Sequence, residues 1–268
     1  MLIEQPNKLL KKMYPSALWR MDPEEKAIYL TFDDGPIPEV TPWVLDKLDQ
    51  HDVKATFFMV GDNIRKHPDL FQEVVKRGHG IGNHTMHHIK FFDRNSLRYM
   101  DDVRETDQII IDHLPLSIDH YMANENSTSN NSHQFLVKSQ PSKFNAQLSK
   151  IVQGVRKDEP AQPMPTENDI PNAQCRLFRP PHGFLNHYQY EKIKWAGYKI
   201  VMWDLVTRDY SNKLRPPQVL ANVLRYSRNG SIITFHDSLK SWKGGNLQYA
   251  LTHSLWFLRE EGYEFKLL

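Results

Sequence analysis

The segment Thr31-Phe32-Asp33-Asp34-Gly35-Pro36 sets two adjacent carboxylates where an apolar run, Ala27 to Phe32, breaks into a Gly-Pro turn. Such a pair suits a divided task, in which one carboxylate binds a cation while its neighbour stays free as a base, and the cation relieves their mutual repulsion. A solvated Asp-Asp-Gly turn is the plainer alternative. Further along, Gly82-Asn83-His84-Thr85-Met86-His87-His88 places two histidines four residues apart, just after a strand-like segment. On a helical turn that spacing brings both imidazoles to one side, with His87 facing elsewhere. Asp34, His84 and His88 then supply three nitrogen and oxygen ligands and leave a position open for water or substrate, the pattern of a catalytic rather than a structural metal site.

Three later segments carry what a hydrolytic metal site still lacks. Phe178-Arg179-Pro180-Pro181-His182-Gly183 offers a fixed positive charge on a stiff turn. Trp203-Asp204-Leu205-Val206-Thr207-Arg208-Asp209-Tyr210 ends a strand with acids and an aromatic, and Ser231-Ile232-Ile233-Thr234-Phe235-His236-Asp237 ends another with a histidine. Taken singly, each has a structural reading: a surface ion pair for Arg179, a helix cap for Asp209, a core histidine for His236.

In this order, Asp-Asp-Gly-Pro, His-Thr-x-x-His, Arg-Pro-Pro-x-Gly, Asp-Tyr and His-Asp resemble the motifs of the polysaccharide deacetylases with a NodB homology domain, carbohydrate esterase family 4. The resemblance runs from about Ala27 to Leu268 and is interrupted by one insertion. It implies that Asp34, His84 and His88 hold a divalent metal, Zn2+ being the first expectation, although this ligand set also accepts cobalt, manganese or iron. It further implies that Asp33 is the base, paired with Arg179, and that His236 is the acid, oriented by Asp209. The backbone N–H of His182 is implied as oxyanion donor. The expected reaction is hydrolysis of the acetamide of an N-acetylated sugar, in a peptidoglycan or chitin-like glycan, with release of acetate. His182, Tyr210, Val206 and Thr234 depart from the residues usual in the family, so the cleft wall and substrate preference are where this chain should differ. Tyr210 and Phe235 are expected to contact sugar, with core packing preferred for Trp203. Two other readings are a glycan-binding protein without turnover and a non-haem iron oxygenase built on the two-histidine, one-carboxylate set.

The elements that must position these residues alternate. Candidate strands at 28–32, 55–60, 79–82, 176–178, 199–203, 231–235 and 263–267 are separated by helix-period segments at 40–50, 68–77, 96–114, 217–226 and 247–260. About seven strand-helix units predict an α/β fold, a distorted (β/α)7 barrel of the TIM-barrel type, and the resemblance implies the same. The motif residues each follow a different candidate strand, and in a parallel barrel those ends converge on one mouth. A single domain over 1–268 is expected, with an N-terminal extension at 1–26 and a polar insertion at 115–174 carrying a helix near 142–157.

Composition narrows partners. The chain has 268 residues, a formal charge of +2 and dispersed Lys and Arg, which argues against nucleic acid. Cys175 is its one cysteine, so no intramolecular disulfide forms. The first 20 residues lack the apolar core of a secretory signal and no run is long enough to span a bilayer, so a cytoplasmic location is the default expectation, with a peripheral or exported form left open. Leu9, Leu10, Met13, Leu18 and Trp19, interleaved with basic residues, are expected to pack against the domain.

Overall fold

The computed structural model describes residues 4–90, 96–114 and 176–268, which belong to one compact unit. The insertion expected at 115–174, with its helix, lies outside the described residues.

At the centre is β1 (Ala27–Asp33), buried at every position. It pairs in parallel with β2 (Thr56–Met59) on one side and β7 (Ser231–His236) on the other. From β2 the sheet continues through β3 (Gly80–Asn83) and β4 (Leu177–Phe178) to β5 (Lys199–Ile200); from β7 it continues to β6 (Leu205–Val206). The short β8 (Glu264–Phe265) pairs with the start of β1. All of these pairings are parallel, and the curled sheet with its helices is the distorted (β/α)7 barrel anticipated above. Parallel strands need covering on both faces, which explains why β1 and β7 read as near-continuous apolar runs.

Alternation within those runs decides what faces the barrel axis. Ile28, Leu30 and Phe32 of β1 and Ile233 and Phe235 of β7 join the layer beneath the helices, whereas Ala27, Tyr29 and Ile232 form a separate inner cluster with Phe58 and Val201. Continuing the period of two turns Asp33 and His236 inward, and the register sets them side by side. Phe235, expected at the sugar-binding mouth, therefore points the other way; it is fully buried and stacks on Phe32 at 5.9 Å between ring centroids. That expectation is corrected by the strand period alone.

The helical layer consists of α2 (Thr41–Gln50), α3 (Gly61–Lys66), α4 (Pro68–Lys76), α5 (Ser96–His113), α6 (His187–Trp195), α7 (Pro216–Tyr226) and α9 (Asn246–Glu260), with short α1 (Lys8–Met13) and α8 (Leu239–Trp242). Pro68 opens α4 at a first-turn position, where its missing N–H is unneeded, and Asn186 with Gln189 forms a reciprocal capping box on α6. The apolar residues of α5 do not all face the core. Met100, Val103 and Ile110 are buried, but Leu97 is 66% and Ile111 45% exposed, while Tyr99 and Thr106 take buried places.

The N-terminal segment is bonded into the sheet. Leu18 N–H donates to Ile200 O at 2.8 Å, Met202 N–H donates back to Leu18 O at 2.8 Å, and Met21 N–H reaches Gly230 O at 2.8 Å. It thereby bridges the β5 side and the β7 side, which do not pair directly. Tyr14, Ala17 and Trp19 are buried with α5 and α6 residues, as expected of a packed segment, whereas Leu9 and Met13 remain exposed. Among the described residues no helix is long and apolar enough to cross a membrane.

Candidate active site

Five loops at the carboxyl ends of the strands build the site, and the backbones of four of them are strained there. Asp34 (φ 88°), Thr85 (φ 64°), His88 (φ 51°), His182 (φ 60°) and Arg208 (φ 63°) adopt left-handed conformations without being glycine. Side-chain-bearing residues persist in that region only where surroundings over-determine them, which is common at functional sites.

Arg179 follows β4 and is 1% exposed. Every nitrogen of its guanidinium donates: Nη1 to Asp33 Oδ1 and to Thr31 Oγ1, both at 2.7 Å, Nη2 to Met202 O at 2.8 Å and Nε to Val201 O at 3.3 Å, and it lies 4.1 Å above the Phe58 ring. Asp33 is thus a carboxylate held by a buried cation whose remaining donors end on carbonyl and hydroxyl oxygens. One face of Asp33 is fixed by this pair, and its strand position turns it toward the axis.

Asp34 leaves the strand at its positive φ and meets the two histidines. Its Oδ1 lies 3.2 Å from His88 Nε2 and 3.8 Å from His84 Nε2, and one ligand atom from each of the three residues falls within 4.8 Å of the others. His84 Nδ1 lies 2.8 Å from the carbonyl of Arg179, which must take the ring N–H and leaves Nε2 with its lone pair toward Asp34. Burial pushes His84 down to about 4, so it is neutral as a ligand must be. Burial alone would raise Asp34, but the His88 hydrogen bond and the charge of His236 hold it well below the usual carboxylate range. A neutral ring, an ionised carboxylate and converging Nε2 atoms fit a borderline divalent cation.

His84 and His88 converge by a different route from the one their spacing suggested. No helix forms over 84–90; the left-handed Thr85 and His88 fold the loop back on itself. Asp102 of α5 grips that loop twice, accepting from His87 N at 3.0 Å and bonding His87 Nδ1 at 2.6 Å. Asn83 takes Thr85 N–H at 2.9 Å and donates to Asp107 of α5 at 2.6 Å. These supports were not visible in sequence, because Asp102 and Asp107 sit in an ordinary charged stretch of helix.

On the opposite side Asp209, fully buried, bonds His236 through both oxygens: Oδ2 accepts the His236 backbone N–H and Oδ1 faces Nδ1, each at 2.8 Å. Burial works against a charged His236, but the charge and hydrogen bond of Asp209, with Asp34 and Asp33 nearby, push it up to about 9. Asn246 of α9 donates to Asp209 O at 2.9 Å and steadies the loop. Tyr210 stands edge-on to His236 at 4.7 Å, and His182 edge-on to His88 at 4.7 Å, so both departures from the family pattern line the mouth. Trp203 packs below the His182 turn, where a Cβ on Gly183 (φ 75°) would lie 2.0 Å from its ring, so only glycine fits.

The profile of the polysaccharide deacetylase family matches residues 20–158. The chain is 31% identical over 265 residues to a peptidoglycan-N-acetylglucosamine deacetylase of Bacillus cereus, covering 96% of this chain and 94% of that one. The chain belongs to the polysaccharide deacetylase family. A chitooligosaccharide deacetylase of Bradyrhizobium is 39% identical over 214 residues, 79% of this chain and 71% of the relative. A second Bacillus cereus deacetylase is longer, and the chain spans 60% of it at 30% identity over 84% of this chain. A crystal structure of a peptidoglycan N-acetylglucosamine deacetylase bound to a benzamide derivative superposes with a TM-score of 0.70 at 24% identity, over 98% of this chain and 95% of that one, which fixes the fold shared by the family.

Proposed function

We propose that this polysaccharide deacetylase hydrolyses the acetamide of N-acetylglucosamine units in a peptidoglycan or chitin-like glycan, using a divalent metal, zinc in the first instance, held by Asp34, His84 and His88. The observation that carries the reading is the division of one mouth into the converging Asp34, His84 and His88 set, in which burial keeps His84 neutral, and, facing it, a carboxylate-backed histidine pushed up to about 9. When bound, the metal polarises the acetyl carbonyl and acidifies water.

The remaining work belongs to this chain's own residues. Asp33, paired with Arg179 and aimed by it, removes the proton of the attacking water. The backbone N–H of His182 donates to the developing oxyanion, a role its side chain does not enter. His236 already carries a proton at neutral pH and delivers it to the departing amine, while Asp209 holds the ring and stabilises its charged form. An amine leaves only when protonated, so a histidine titrating above neutrality suits the second half of the reaction. Neither the Arg179–Asp33 pair nor the Asp209–His236 pair has a task in an oxygenase, and a purely binding site has no need of an aimed base beside a carboxylate-backed acid. At the rim Tyr210 and His182 contact the sugar.

The test is acetate release from N-acetylglucosamine oligomers and peptidoglycan by protein loaded with one zinc. Release that a chelator abolishes supports the reading. One bound zinc and no release from any of these substrates counts against it.

A further inference from the structure

Asp237 follows the proposed acid directly and has no part in the steps above, yet it is fully buried. An ionisable side chain so placed requires partners, and those of Asp237 all belong to one region. Its Oδ1 accepts the N–H of Gly35 at 3.0 Å, and its Oδ2 accepts from Thr41 Oγ1 at 2.6 Å. Thr41, the first residue of α2, in turn accepts the N–H of Ile37 at 2.8 Å. The Asp237 backbone N–H donates to Asp33 O at 3.1 Å. Gly35 leaves the space the carboxyl fills, since a Cβ there would lie 1.9 Å from Asp237 Oδ2.

We infer that Asp237 is a positioning residue for the Asp33-Asp34 pair: one carboxyl spans the turn from Gly35 to Ile37 and α2, and fixes the direction in which Asp34 presents its oxygen to His84 and His88. The turn needs such a hold because Asp34 sits at φ 88°, a conformation that surrounding bonds must impose. Three further ties reach the same turn from the β2 side, Asp34 N–H to Phe58 O at 3.3 Å, Val60 N–H to Gly35 O at 3.0 Å and Asn63 Nδ2 to Asp34 O at 2.7 Å. Asp237 is the tie from the β7 side, and it links the strand bearing His236 to the loop bearing the base and the carboxylate ligand. Burial pushes its carboxyl up to about 8, against the opposing hydrogen bond from Thr41. An asparagine keeps an oxygen for the Gly35 N–H and offers Nδ2–H to Thr41 Oγ1, so it spans the same turn.

The inference rests on the proposed metal site, and uptake of one zinc by the wild-type chain, measured first, tests that premise separately. Zinc affinity by chelator competition, kcat, KM and Tm are then compared for Asp237→Ala, Asp237→Asn and Thr41→Val. Residues that support metal ligands from outside typically change affinity or activity by about 10- to 100-fold. Asp237→Ala should weaken zinc by at least about tenfold and lower kcat in parallel with KM nearly unchanged, while Asp237→Asn recovers most of both. Thr41→Val should lie between them with a smaller loss of Tm than the alanine variant, and it keeps the test alive if the alanine variant does not fold. Zinc affinity in Asp237→Ala or Thr41→Val equal to wild type would overturn the inference. So would equal losses in the asparagine and alanine variants in proportion to their loss of Tm.

Discussion

His84 and His236 border the same mouth, both carry a hydrogen-bonded Nδ1, and they are driven in opposite directions. His84 faces a neutral carbonyl, that of Arg179, and burial takes it down to about 4. His236 faces the carboxylate of Asp209, which outweighs burial and takes it up to about 9. A single partner atom therefore decides whether a buried imidazole is a lone pair for a cation or a proton for a leaving group. The rest of the site follows the same division, with Asp34 beside the ligand histidines and Asp33 tied to the Arg179 cation rather than to either ring.

The division can be broken first on the ligand side. His84→Ala should abolish zinc uptake and with it acetate release, whereas Asp33→Asn should keep one zinc, by metal analysis, and lose about 10²- to 10⁴-fold in kcat. Equal loss of metal in both would merge two roles kept apart here. Arg179→Met leaves Asp33 buried without its cation and is expected to cost about 3–5 kcal/mol in chemical denaturation, because removal of one member of a buried pair strands the other.

A smaller effect comes from linkage. The folded value of His236 lies above its ordinary 6.5, so its contribution to stability is complete below pH 6.5 and disappears as pH rises through about 9. Denaturation of the metal-free protein between pH 6 and 10 should show a fall that is smaller in His236→Gln by at most roughly 3 kcal/mol, the remainder including Asp237, which burial pushes up to about 8. The slightest effect belongs to the rim, where Tyr210→Ala should raise KM several-fold, about 1 kcal/mol of lost sugar contact, with kcat nearly intact.

Sequence carried most of this site because its residues follow strands in fixed order. Asp33 and His236 come from two apolar runs whose period of two also settles which side they face, and the parallel register makes them neighbours. The same period, applied one residue earlier, places Phe235 in the core, so that correction was available from the chain itself. The His84–His88 loop was not. Its geometry depends on left-handed residues and on Asp102 and Asp107 arriving from α5, contacts that local spacing does not encode. Short elements were lost for a related reason: β6 has two residues and α3 six, too few for a periodic pattern to register. The segment 4–26 read as an extension because its partners, Ile200, Met202 and Gly230, lie far along the chain.

The most direct test of the opposed histidines is the pH dependence of kcat/KM in Asp209→Asn beside wild type, with zinc affinity measured on the same samples. Removing the carboxylate takes away the largest of the effects that raise His236 and leaves only the charges of Asp34 and Asp33 against burial. The alkaline limb should therefore move to lower pH and kcat fall by about 100-fold while zinc affinity stays unchanged. An alkaline limb at the wild-type position in Asp209→Asn would contradict the assignment of His236 as the proton donor set by its partner.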